Sequence, residues 1–193
     1  MSRSPPAALE QTALAYVARY ATTQARLRSY LVRKLRERGW EGTDDRTEDR
    51  PEDRIEALVM RFAQAGYLDD EAWARMRSGA LARRGFGAGR IGQALREAGI
   101  AEDLRADNRL DEPAQRQAAL VLARRRRFGP FRGADLLPDR PQREKQVAAM
   151  VRAGHPLDIA RRIVDARDPE EVEQWADLGL RHPPEPQGAS SCV

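Results

Sequence analysis

The chain has 193 residues and a net charge of +4, long enough for one large domain or several small helical modules. It has no run of 18 apolar residues, so no transmembrane helix is expected, and the start, Met1-Ser2-Arg3-Ser4-Pro5-Pro6, lacks the apolar core of a signal peptide. With Cys192 as its one cysteine it cannot form an internal disulfide or a cysteine-based metal site, and a cytoplasmic location is expected. Among the basic residues only Lys34 and Lys145 are lysines. Arginine forks suit phosphate and carboxylate. A coding bias that favours Arg, Ala, Gly and Pro together accounts for part of the excess, so the placement of the arginines is more informative than their number.

In chain order, a first helix is predicted from Pro5-Pro6 to about Tyr20, with Leu9, Ala13, Leu14, Tyr16, Val17 and Tyr20 on its apolar side. Thr22-Thr23 caps a second helix, where Leu27, Leu31 and Leu35 stand four apart and Gly39 stops the run before Trp40. Residues 41–53 form a polar linker, and from Glu41 to Glu56 eight acids face Arg46, Arg50 and Arg54. Such a run reads as a solvated loop. After Pro51, Ile55, Leu58, Val59 and Phe62 mark a third helix that ends at Gly66, where glycine takes the left-handed C′ conformation cheaply.

The run from Gly66 to Ile100 has the clearest punctuation. Tyr67 and Leu68 pack back on the preceding helix end, and Asp69 is the expected N-cap of the next. Asp70 and Glu71 complement the helix dipole. Ala72, Trp73, Met76, Ala80 and Leu81 form the predicted apolar stripe, with Arg75, Arg77, Arg83 and Arg84 opposite. The turn Gly85-Phe86-Gly87-Ala88-Gly89 opens a helix that buries Ile91, Ala94, Leu95 and Ala98 and stops at Gly99. A helix precedes this turn and Arg90 follows it, whereas a Rossmann loop follows a strand and a P-loop ends in Gly-Lys-Ser/Thr. It reads as a helix corner whose glycines allow close backbone approach. The competing reading places exposed amides and Arg90 beside an anion.

The residues Gly66-Tyr67-Leu68-Asp69-Asp70, Trp73, Gly85-Phe86-Gly87, Arg90-Ile91, Leu95 and Gly99-Ile100 resemble the motif run of the RecX regulatory proteins. The resemblance extends from about Leu14 to Val164. It implies a small all-helical cytoplasmic protein that binds the RecA recombinase filament and modulates it, usually as an inhibitor, in recombinational repair and the SOS response.

Internal repetition agrees with that. Leu35-Arg36-Glu37-Arg38-Gly39-Trp40 matches Leu95-Arg96-Glu97-Ala98-Gly99-Ile100, and Met150-Val151-Arg152-Ala153-Gly154-His155 echoes both. The spacing suggests three stacked helical units at 1–66, 67–110 and 111–167, an elongated curved all-α body. The third unit opens near Pro113, uses Ala118, Val121 and Leu122, and closes on Arg124-Arg125-Arg126-Arg127. A loop at 129–141 and helices at 142–153 and 157–167 follow. Asp168-Pro169-Glu170-Glu171 starts a short acidic helix with Val172, Trp175 and Leu178, and the tail from His182 is Pro/Gly/Ser-rich.

No catalytic constellation, metal site or cofactor site is expected. His155 and His182 lack ligand spacing, and His155 falls at a helix end, where it reads as a capping or packing residue. Trp73 reads as core. The expected partner surface is Arg83, Arg84, Arg90, Arg124, Arg125, Arg126 and Arg127, brought to one side of a monomeric body by stacking. Its partners would be the RecA filament and, through phosphate contacts, single- or double-stranded DNA. Two alternatives stay open: a DNA-binding protein without sequence preference, or a helical-repeat adaptor for another protein.

Overall fold

A computed structural model describes residues 5–37, 50–133 and 139–178. Its order is α1 (Pro5–Val17), α2 (Gln24–Glu37), α3 (Pro51–Gln64), α4 (Asp70–Arg83), α5 (Ala88–Glu97), α6 (Glu102–Asp107), α7 (Glu112–Arg126), a 3-10 turn (Gly129–Arg132), α8 (Arg140–Arg152), α9 (Leu157–Asp165) and α10 (Pro169–Asp177). Among the described residues there is no strand, so the all-α expectation holds. Among the described residues no helix is long and apolar enough to cross a membrane. The stop at Gly39 before Trp40, the acidic stretch up to Asp49, and the tail with His182 and Cys192 lie outside the described residues.

The chain divides into two compact units, Met1–Ser78 with Gly92–Asn108, and Gly79–Ile91 with Arg109–Val193. Helices α4 and α5 therefore contribute to both. The core of unit 1 is Leu9, Ala13, Leu27, Leu31, Ile55, Leu58, Val59, Phe62 and Leu68. These are largely the residues the helical spacing selects, because α1, α2 and α3 each bury one stripe. Leu14 and Tyr20 depart from that reading and are exposed; Tyr20 lies beyond the end of α1 at Val17.

The N-terminus of α2 is held by groups distant in sequence. Thr23 Oγ1 accepts from the Arg26 amide at 3.3 Å and donates to the Ala98 carbonyl at 2.6 Å. Asp70 accepts from the Gln24 amide at 3.0 Å, so its carboxylate caps α2 while Asp69 caps α4 through the Ala72 amide at 2.8 Å. Burial raises the Asp70 carboxyl above the ordinary aspartate range, against the opposing pull of that Gln24 amide. The Trp73 indole donates to the Ala21 carbonyl at 3.3 Å, with the Arg26 guanidinium 4.9 Å from its ring centroid. Trp73 is 7% exposed, as a core residue should be. On α4 the stripe is corrected: Met76 is 53% exposed, and Trp73, Ala74, Ser78 and Leu81 are buried.

In unit 2, α7, α8, α9 and α10 share one core, including Leu120, Leu122, Met150, Ile159, Ile163, Val164 and Val172. The Asp168 carboxylate accepts from the Glu171 amide at 2.8 Å, so the expected start of α10 is present. Helix α10 is more than an acidic appendage. Val172 and Ala176 are buried, and Trp175 lies with Arg116 and Arg162 each 5.2 Å from its ring centroid.

Candidate functional site

The glycine turn is built as a corner. At Gly85 (φ +81°) the Phe86 amide donates back to the Leu81 carbonyl at 3.1 Å and the Gly85 amide to Ala82 at 2.8 Å, which closes α4. A Cβ on Gly85 would stand 2.8 Å from the Leu122 backbone nitrogen, so the turn sits directly on α7. Gly87 and Gly89 donate their amides to the carbonyls of Ala153 and Gly154, at 2.9 and 3.0 Å. Those two amides are consumed by the α8–α9 corner and are not offered to an anion, which removes the phosphate-loop alternative in the form that needs them. Close backbone approach is the glycines' use here.

The echoed helix ends also match in structure. Ile100 donates to the Leu95 carbonyl at 3.1 Å, and His155 to that of Met150 at 3.2 Å, after Gly99 (φ +73°) and Gly154 (φ +93°) respectively. The third copy of the pattern, at Gly39, is outside the described residues. His155 is 3% exposed, and its Nε2 lies 3.0 Å from the Gly85 carbonyl. A carbonyl only accepts, so Nε2 carries the proton. Nδ1 is then an unprotonated acceptor, buried without a partner. Burial lowers the pKa of this histidine below its ordinary 6.5, and the bond to Gly85 opposes that. The sign of the pH dependence follows. Below about pH 6.5 the unfolded chain takes up a proton that the folded chain declines. Stability is therefore full above that pH and falls as pH drops, by up to about 1.4 kcal/mol per pH unit. Urea unfolding at pH 7.5, 6.5 and 5.5 should show this loss in the parent. The loss between pH 6.5 and 5.5 should shrink in His155→Gln; an unchanged pH slope in that variant would exclude His155 as its source.

All seven arginines of the expected partner surface lie in unit 2, and all are exposed. Arg83 and Arg84 end α4, Arg84 with its guanidinium 5.6 Å from the Phe86 centroid; Arg90 lies in the first turn of α5. The turn that carries Arg84 touches α7 at Leu122, three residues before Arg125. The structure thus sets the end of α4, with Arg83 and Arg84, against the helix whose end carries Arg124 to Arg127; Arg90 is not part of that contact. The arginines are not equivalent. Arg124 is committed within the fold: it pairs with Glu173 of α10 at 2.5 Å and lies 5.9 Å from the Phe131 centroid. Arg83, Arg84, Arg125, Arg126 and Arg127 make no ion pair among the described residues.

Arg127 occupies the C′ position after α7 with φ 55° and ψ 51°. The Phe128 amide donates to the Ala123 carbonyl at 2.9 Å, the same closure seen at the glycines. It is the one non-glycine residue with positive φ among those described. Left-handed backbone costs an L-residue roughly 1–2 kcal/mol. An exposed guanidinium stands where glycine would be less strained. Part of the arginine enrichment at these ends is explained by the helix dipole. The dipole does not account for a side chain at the C′ position itself, since Gly85 and Gly154 end their helices without one.

Three features of the site are not apparent from sequence reasoning: the Asp70 carboxylate on α2, the His155–Gly85 bond, and Glu173 on Arg124. Each joins groups at least 46 residues apart, and no local signal encodes the pairing. Among the described residues no three His, Cys, Asp or Glu side chains are grouped to hold a metal ion.

No protein-family model matches the chain. It is 34% identical over 165 residues to "Regulatory protein RecX" of Myxococcus xanthus (strain DK1622), covering 83% of this chain and 86% of that protein. It is 29% identical over 151 residues to "Regulatory protein RecX" of Agrobacterium fabrum (strain C58), covering 78% of each.

Proposed function

Because the chain belongs to the RecX family of regulatory proteins, we propose that it binds the RecA recombinase filament and restrains its recombinase, ATPase and coprotease activities. On this reading it acts in the cytoplasm, in recombinational DNA repair and the SOS response. It is a monomer without catalytic residues or cofactor, and its regulation rests on binding. The three-unit division at 1–66, 67–110 and 111–167, with 168–193 appended, belongs to the same proposal, as the repeated contact units of a body that lies along a filament.

The observation that carries the reading is the group of exposed guanidinia at helix ends of unit 2 that make no ion pair among the described residues, Arg83, Arg84, Arg125, Arg126 and Arg127, the last held in strained backbone. Such groups suit acidic protein surface or phosphate, bound bidentately. Several weak contacts along a repeating filament would combine through effective concentration. Arg83, Arg84, Arg90, Arg125, Arg126 and Arg127 are the proposed contact residues. Arg124 has the lesser part, because Glu173 already neutralises it. Binding to DNA alone through the same residues is the competing reading, since guanidinia serve phosphate equally well.

Charge reversal tests this. The double variant Arg83→Glu, Arg84→Glu is expected to weaken filament binding and inhibition by about tenfold or more, with a melting temperature close to the parent's. Reversal of Arg125 and Arg126 should act in the same direction and be partly additive. Binding by the parent should weaken with added salt. Parental binding and inhibition in both variants at physiological ionic strength would leave these arginines as solvated surface and refute the assignment.

A further inference from the structure

Three tyrosines stand together at the surface of unit 1. Tyr16 of α1 and Tyr30 of α2 stack with ring centroids 4.1 Å apart and 18° between planes. Tyr20 leans on Tyr16 at 5.3 Å and 50°. Its position follows from the way α1 ends. The amides of Arg19 and Tyr20 both donate to the Tyr16 carbonyl, at 3.2 and 3.0 Å, and this curl returns the Tyr20 ring to Tyr16. Tyr20 is nevertheless 50% exposed.

The cluster has a cationic fringe. The Arg19 guanidinium is 5.6 Å from the Tyr20 centroid, and Arg33 and Lys34 lie 5.6 and 5.9 Å from that of Tyr30. Glu37 pairs with Lys34 at 2.6 Å and with Arg33 at 3.6 Å. Arg19 makes no ion pair among the described residues. Joining α1 to α2 accounts for the Tyr16–Tyr30 stack. It accounts neither for a third ring whose surface is half open nor for a cation lying over that ring.

We propose that this cluster is a stacking platform for single-stranded nucleic acid. An unpaired base stacks on the open part of Tyr20, and Arg19, displaced from over that ring, takes the flanking phosphate; Arg33 has the lesser part, because Glu37 already pairs with it. An aromatic ring with adjoining guanidinia fits a strand that presents a π-face and a phosphate at every residue. A duplex hides its base faces and lacks the first of these. The proposal is independent of the filament reading, because it concerns another unit and needs no recombinase.

The test is fluorescence anisotropy of a labelled oligothymidylate, with a duplex of equal length alongside, using the full chain. The parent should prefer the single strand. Tyr20→Ala should weaken single-strand binding by about five- to 150-fold, the effect of losing one stacked base, with the duplex and the melting temperature little changed. Tyr20→Phe should stay within about twofold of the parent, and Arg19→Glu should weaken binding and flatten its salt dependence. Parental binding by Tyr20→Ala, or an equal loss in Tyr20→Phe, would overturn the proposal. So would loss of filament binding in Tyr20→Ala with oligonucleotide binding intact, which would assign the patch to a protein partner. Failure of Arg83→Glu, Arg84→Glu to affect filaments would leave these outcomes untouched.

Discussion

Replacing Trp73 with alanine is expected to lower the unfolding free energy by about 3–5 kcal/mol, the range for removing a large aromatic from a packed interior. The ring is 7% exposed. Its loss leaves a cavity where α4 meets the start of α2, frees the Ala21 carbonyl and removes the surface over which Arg26 lies. Trp73→Phe keeps much of the apolar area but not the indole donor, so it should fall between the parent and Trp73→Ala. Denaturant unfolding followed by circular dichroism gives the values. Near-parental stability of Trp73→Ala, with filament binding lost, would reassign the ring from core to partner anchor.

Gly154→Ala is the second large effect, expected near 3 kcal/mol by the same measurement, from two terms. Gly154 has φ +93°, which disfavours an L-side chain by roughly 1–2 kcal/mol. A Cβ there would also overlap the Arg90 backbone nitrogen and stand 3.0 Å from the Arg90 Cα. That neighbour is backbone, held by the bonds from Gly87 and Gly89 to residues 153 and 154, so it yields little. Overpacking of this kind costs typically about 1–3 kcal/mol. Gly66→Ala separates the terms. Gly66 has φ +77° but nothing within 4 Å of the added carbon, so the variant should show only the conformational cost. Equal losses in both variants would mean that the close approach of the Arg90 backbone to Gly154 contributes nothing.

What could be read from the sequence was local. Asp69 and Asp168 are legible as N-caps because the acceptor and its amide lie three residues apart, and the structure makes both bonds at 2.8 Å. Asp111 and Asp139 cap α7 and α8 in the same way, each ahead of a proline in the first turn, so the same signal was present there. The glycine stops were legible because only one residue type suits the conformation. Arg127 shows the limit of that rule, since the strained C′ is a substitution the rule excludes. Helix α6 has no apolar stripe to mark it, because Glu102–Asp107 buries no residue, so only the repeat of helical units over 67–110 pointed to a helix after Gly99.

Met76 was assigned to the wrong face for a related reason. Helix α4 serves both units, and Ala74 and Ser78 carry part of its burial, so apolarity is a poor guide to its inner side. At the candidate site, the arginines were visible as a list, but their inequality was not. That Glu173 takes Arg124 while Arg125 to Arg127 make no ion pair among the described residues depends on α10 folding back onto α7.

The central claim, that this chain restrains the RecA filament by binding it, is tested most directly with RecA polymerised on single-stranded DNA and the purified protein added in steps. ATP hydrolysis and filament length are recorded together. The account predicts that both fall with added protein, at stoichiometries well below one per RecA protomer if the contacts span several protomers, and that Arg83→Glu, Arg84→Glu shifts the response to higher concentration. Unchanged hydrolysis and unchanged length at a several-fold excess of protein would contradict it.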